Sequence, residues 1–124
     1  MFTKIPEEVR EFIKQNVHSV ALLDMLLMMK QNSEKEWSAR HLSQEMRTNV
    51  DYAASQLAVL VSKGFVVPTQ NDCFKYNSEN YWNAIVDQLE QYYNLHRATV
   101  INHIYSQPID SIRGFADAFK IKKD

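Results

Sequence analysis

With 124 residues, 45% of them hydrophobic and 23% charged, the chain has the balance of one folded globular domain rather than of a disordered segment. A formal net charge of −1, with no long run of either sign, counts against a general polyanion binder. The single cysteine, Cys73, excludes an internal disulfide and a cysteine-based zinc site, and a reducing cytoplasm is the expected compartment.

The amino terminus shows no secretory pattern, since Met1-Phe2-Thr3-Lys4 leads directly into Pro6-Glu7-Glu8. Proline at a first helical position and acids at the positive end of the helix dipole mark a helix start there. Val9, Phe12 and Ile13 give this short helix one apolar face. A second helix is expected from Ser19, a good N-cap, to about Lys30. It is apolar nearly all round between Val20 and Met29, so other helices should surround it. Asp24 interrupts that stretch, which falls well short of the roughly 18 residues of a membrane span, and no membrane partner is expected. Gln31 to Glu36 reads as a loop.

Trp37-Ser38 opens the more informative part. Ser38 can cap a short helix reaching Met46, with Leu42 and Met46 on one side. Arg47-Thr48-Asn49 makes a turn, and Asn49 caps a third helix from Val50 to Lys63 that Gly64 ends. At the helical period Val50, Ala53, Ala54, Leu57, Leu60 and Val61 share its inner face, leaving Thr48, Asp51, Tyr52, Ser55, Val59 and Ser62 outward.

The period then changes. Phe65-Val66-Val67-Pro68-Thr69 and Cys73-Phe74-Lys75-Tyr76-Asn77 are β-branched and aromatic runs around the turn-forming Gln70-Asn71-Asp72, which together predict a hairpin. Pro68 lacks a donor and belongs at a strand end or an outer edge. From Asn80 a long helix is expected to run unbroken to Tyr105, because no glycine or proline interrupts it; it would span about 39 Å. Beyond Pro108 a last amphipathic helix carries Ile109, Ile112, Phe115, Ala116 and Phe119 before the basic Lys120-Ile121-Lys122-Lys123.

Short helix, tight turn, second helix, glycine and hairpin is an order that resembles the winged helix-turn-helix family over residues 38–77. The flanking segments, 1–31 and 80–124, resemble the plan of MarR-type bacterial transcriptional regulators. Leu42 and Met46, then Ala53, Leu57 and Leu60, stand where that family places core residues, and Lys63-Gly64-Phe65-Val66 is similar to its helix-to-wing junction. The stretch from Tyr105 to Asp124 also resembles the tail of small uncharacterised bacterial proteins of this build, a likeness that implies no activity. The expected fold is therefore mainly α, one domain over 1–124, with a short β-hairpin wing and a long C-terminal helix.

The resemblance implies a transcriptional regulator that sets its second motif helix into the major groove of duplex DNA, where side chains read base edges and nearby cations meet phosphates. Asn49, Tyr52, Ser55 and Gln56 are the base-facing candidates, and Arg40, Arg47, Lys63 and Lys75 the phosphate candidates. The family commonly carries arginine where this chain has Ser55 and Val59. No Lys or Arg lies between Arg47 and Lys63, and the hairpin tip is equally without a cation. A rival reading is a winged-helix module that has lost DNA contact and docks a protein through Tyr52, Val59 or the long helix.

A homodimer is expected from the terminal helices, the alternative being a monomer closed by the last helix folding back on its own long helix. Trp82, Ile85, Leu89, Tyr92, Tyr93, Val100 and Ile104 form an apolar arc too broad for a small core, and Ile112, Phe115 and Phe119 extend it. His96 and His103 share one side of the long helix without a carboxylate completing a ligand set, and His18 and His41 show no recognisable partners. No metal and no cofactor is expected. Tyr81, Trp82, Tyr92, Tyr93 and Tyr105 read as core or interface before they read as a ligand pocket. Paired carboxylates, a nucleophile elbow and a phosphate-cradling glycine loop are all absent from the sequence, so no enzyme is expected.

Overall fold

Ser19 begins a largely apolar helix by accepting a hydrogen bond from the Leu22 amide on its Oγ at 3.1 Å, satisfying one of the donors that every helix start leaves open. That helix, α2 (Val20–Gln31), buries Leu22, Leu23, Met25, Leu26, Leu27 and Met29 in the centre of the computed structural model, which describes residues 5–106. Before it runs α1 (Glu7–Asn16), with Val9, Phe12 and Ile13 facing inward. After it come β1 (Trp37–Ser38), α3 (Ala39–Met46), α4 (Val50–Ser62), β2 (Val66–Pro68), β3 (Cys73–Tyr76), α5 (Asn83–Leu95) and α6 (Arg97–Tyr105). The protein is thus mainly helical, with one small antiparallel sheet ordered β1-β3-β2.

α3 and α4 are joined by a tight turn. The Thr48 amide reaches back to the Ser43 carbonyl at 2.9 Å, and Arg47 takes the left-handed conformation with φ 56°. The same closure recurs at the end of α4, where the Phe65 amide bonds to the Leu60 carbonyl at 3.0 Å and Gly64 sits at φ 83°. The second site has the glycine that this backbone favours; the first carries arginine instead.

In the sheet, Val66 faces Tyr76, Val67 faces Lys75 and Pro68 faces Phe74, while on the other side of β3 Trp37 faces Phe74 and Ser38 faces Cys73. Pro68 therefore closes an edge strand, where its missing donor leaves no ladder bond unmade. β1 is an addition to the two-stranded hairpin that the sequence suggests. Its two residues are too few to show an alternating pattern.

The expected continuous helix over residues 80–105 is corrected by the structure. His96 leaves helical geometry at φ −137° and ψ 54°, ending α5 and starting α6. The break allows both pieces to pack on α1 and on each other. Val86, Leu89 and Tyr93 of α5, and Val100 and Ile104 of α6, are all buried in the same core. A straight helix would carry its far end past so small a core, and burial of Val100 and Ile104 compensates for the hydrogen bonds lost at the bend.

That packing also corrects part of the expected dimer surface. Leu89, Tyr93, Val100 and Ile104 are already covered within the chain, and Trp82, Ile85 and Tyr92 are half-buried against the same core. Ile112, Phe115 and Phe119 lie outside the described residues. Among the described residues no helix is long and apolar enough to cross a membrane.

Candidate functional site

The turn between α3 and α4 is fixed from both sides, and this decides what its side chains are free to do. Asn49 Oδ1 accepts from the Tyr52 amide at 2.7 Å, so its carboxamide is engaged as the N-cap of α4. Ser55 Oγ donates to the Tyr52 carbonyl at 2.7 Å, and Ser62 Oγ to the Val59 carbonyl at the same distance. Both hydroxyls therefore spend their donor on their own helix. Gln56 is half-buried and Tyr52 is exposed.

α4 turns Ala53, Leu57 and Leu60 inward, as its period indicates. Its buried arc is narrower than expected, however. Val50 and Ala54 are exposed rather than inner, because among the described residues α4 is covered mainly by the short α3, and to a lesser extent by α2 and the small strand β2. Val59, expected on the outer face, is half-buried and packs on the core. The outward surface consists instead of Val50, Asp51, Tyr52, Ala54, Ser55, Ala58 and Ser62, which is neutral apart from one acid.

The four expected phosphate contacts divide into two pairs. Arg40 and Arg47 are exposed, with no ion pair to another described residue. Lys63 instead reaches the end of α1, with Nζ donating to the Gln15 carbonyl and to Asn16 Oδ1, each at 3.4 Å. A lysine beside the last carbonyls of a helix also complements the negative end of its dipole. Lys75 pairs with Glu34 at 3.6 Å. At the hairpin tip Asn71 and Asp72 adopt left-handed backbone, with φ 62° and 58°, and the tip presents Gln70, Asn71 and Asp72 to solvent. The exposed residues of the α3–α4 unit and the hairpin tip thus include Arg40 and Arg47 and the carboxylates Asp51 and Asp72.

Sequence reasoning missed the partners of His41. Its ring lies 4.8 Å from that of Trp37, and Nε2 is 3.8 Å from Glu45 Oε1, one helical turn on. Lys35 Nζ stands 4.1 Å above the Trp37 ring, so a loop cation and a helix imidazole flank one indole. The i, i+4 spacing of His41 and Glu45 is legible in the sequence; the tilted ring contact with Trp37 is not, because a two-residue strand carries no periodic signal.

The tyrosines do not converge. Tyr93 is buried, Tyr81 and Tyr105 are exposed, and Tyr76 makes hydrogen bonds to Asn80 and Asn83 near the start of α5. Burial pushes the Tyr76 hydroxyl pKa up. Among the described residues no group of three or more His, Cys, Asp or Glu is placed to hold a metal ion. Cys73 is half-buried, with Sγ 3.7 Å from the Asn71 carbonyl oxygen. No family model matches the chain, and no curated protein or solved structure matches it either, so the reading of this surface rests on its own residues.

Proposed function

We propose that residues 38–77 act as a winged helix-turn-helix in a non-catalytic regulatory protein, and that the α4 face docks another protein rather than duplex DNA. One observation carries this reading. The outward surface of α4 has no cation along its length, bears Asp51 in its first turn, and exposes the apolar bodies of Val50 and Tyr52 at 36% and 38%. A phosphate backbone is met by Lys, Arg and amide donors, whereas an exposed tyrosine beside aliphatic side chains suits the apolar centre of a protein interface. Two of the four lysine and arginine candidates are engaged by the chain itself, which lowers the number of phosphates one copy can neutralise.

DNA binding is the second reading, favoured by the exposed Arg40 and Arg47 beside the start of α4. It would need two copies to gather enough positive charge, and most of the apolar arc expected to join them is occupied within one chain. Titration of random duplex DNA with the full chain at several salt concentrations separates the two readings. Absence of binding at roughly 50 mM salt supports the protein-docking module. Tight binding that falls with a slope of about −0.9 for each phosphate neutralised would overturn it in favour of DNA.

A further inference from the structure

Away from the α3–α4 unit, a groove of about 660 Å³ opens between α1 and the start of α5. Phe12, Trp82 and Ile85 line its floor, and Glu7, Glu8 and Glu11 stand along one side. Phe12 is fully buried, its ring 5.5 Å from that of Trp82, while Trp82 and Ile85 are each half-buried. Tyr81 projects beside them with 87% of its surface exposed, its ring edge-on to Trp82 at 4.8 Å. Among the described residues none of the three glutamates is in an ion pair. The groove thus combines an aromatic floor with an acidic bank, the chemistry that receives an apolar segment carrying cations.

We propose that this groove is the docking site of the chain's own C-terminal segment, residues 107–124. That segment spaces Ile109, Ile112, Phe115 and Phe119 at intervals of three and four, and carries Arg113, Lys120, Lys122 and Lys123 against three aspartates. Its positive charge is concentrated in the last five residues, next to Phe119, so an apolar stripe and a cationic end occur together as the groove requires. The chain leaves the described residues at the end of α6, which packs on α1, the helix that forms the acidic bank. Eighteen residues reach about 27 Å as a helix and about 60 Å extended, enough to return along α1. Tethering supplies an effective concentration in the millimolar range, which favours the chain's own segment over that of a second copy at micromolar protein.

The full-length chain tests this through its two tryptophans. Trp37 is 3% exposed and shielded from a collisional quencher, so acrylamide reports mainly on Trp82 at the groove floor. The variant Phe115→Ser/Phe119→Ser is expected to raise the quenching slope at least about twofold, and so is the variant Glu7→Lys/Glu8→Lys/Glu11→Lys. Adding Lys120→Glu/Lys122→Glu/Lys123→Glu to the glutamate variant should restore the low slope, because the charges are exchanged rather than lost. Unchanged quenching in the phenylalanine variant would overturn the proposal, as would failure of the charge exchange to restore shielding. Shielding that is lost on dilution, together with a sedimenting mass twice that of the chain, would also overturn it by making a second copy the occupant. Melting curves of each variant identify loss of fold, which would expose Trp37 as well.

Discussion

The Tyr93 hydroxyl donates to Asp24 Oδ1 at 2.8 Å, joining α5 to the central helix α2 through the one acid that interrupts α2's apolar run. Burial raises the Tyr93 pKa to about 12, and the hydrogen bond to Asp24 and its negative charge push the same way. The Arg97 guanidinium, 4.5 Å from the ring centroid, acts in the opposite direction.

A folded-state pKa above the unfolded value of 10 means that the neutral phenol is preferred by the fold. Its contribution is complete below pH 10 and is lost as pH rises through about 12. Tyr93→Phe should lower stability by about 1 kcal/mol at neutral pH, since it leaves the Asp24 carboxylate without its donor. It should also flatten the alkaline decline over that window. Chemical denaturation at neutral pH and at a series of alkaline values checks both effects.

Lys30 links the other end of the same helices, pairing with both Asp87 and Glu90 of α5. Burial alone would lower its pKa, but hydrogen bonds and attraction from the two carboxylates raise it above its ordinary value. Lys30→Met should therefore show weaker stability loss at high pH than the parent, because the cation's contribution, lost as pH rises above about 10.5, is already gone. Equal alkaline slopes for parent and variant would show that the pair contributes nothing measurable.

Packing within one chain is tested by two residues on either side of the bend. Ile104 is 2% exposed and Leu95 is 76% exposed. Ile104→Ala should destabilise by about 2–5 kcal/mol, whereas Leu95→Ala should change stability by about 0.5 kcal/mol or less. Melting midpoints measured over a range of protein concentrations check this, and the Ile104 effect should not depend on concentration. Leu57→Ala, at the 1% exposed centre of α4, belongs to the same large class.

Asn49 offers a way to separate a cap from a reader of bases. Asn49→Ala removes the bond to the Tyr52 amide and should lower stability by about 1 kcal/mol, while Asn49→Asp or Asn49→Ser should retain most of it. Thermal melts decide. A neutral alanine variant would free Asn49 for another role.

Much of this architecture was legible because it depends on neighbours in sequence. Ser19, Ser38 and Asn49 could be read as caps from their places before apolar runs, and each accepts the amide three residues on. Gly64 could be read as a helix end, and the hairpin from its alternation of strand and turn residues. What escaped was set by distant partners. Nothing near His96 signals a bend, which follows from the fit of Val100 and Ile104 to α1. Lys63 and Lys75 read as free cations because Asn16 and Glu34 are remote in sequence. Val59 and Val50 exchange their expected exposures because the width of a helix's buried arc depends on how much its neighbours cover.

Ser38 belongs to two elements at once. It is paired with Cys73 as the last residue of β1, and its Oγ accepts from the His41 amide at 3.0 Å as the cap of α3. No slack residue separates the sheet from the helix, and α3 in turn packs on α4. The position of β3 and the start of α3 are therefore set by one residue, with no linker between strand and helix. Ser38→Ala would then disturb strand end and helix start together, removing the acceptor for the His41 amide at the residue that pairs with Cys73.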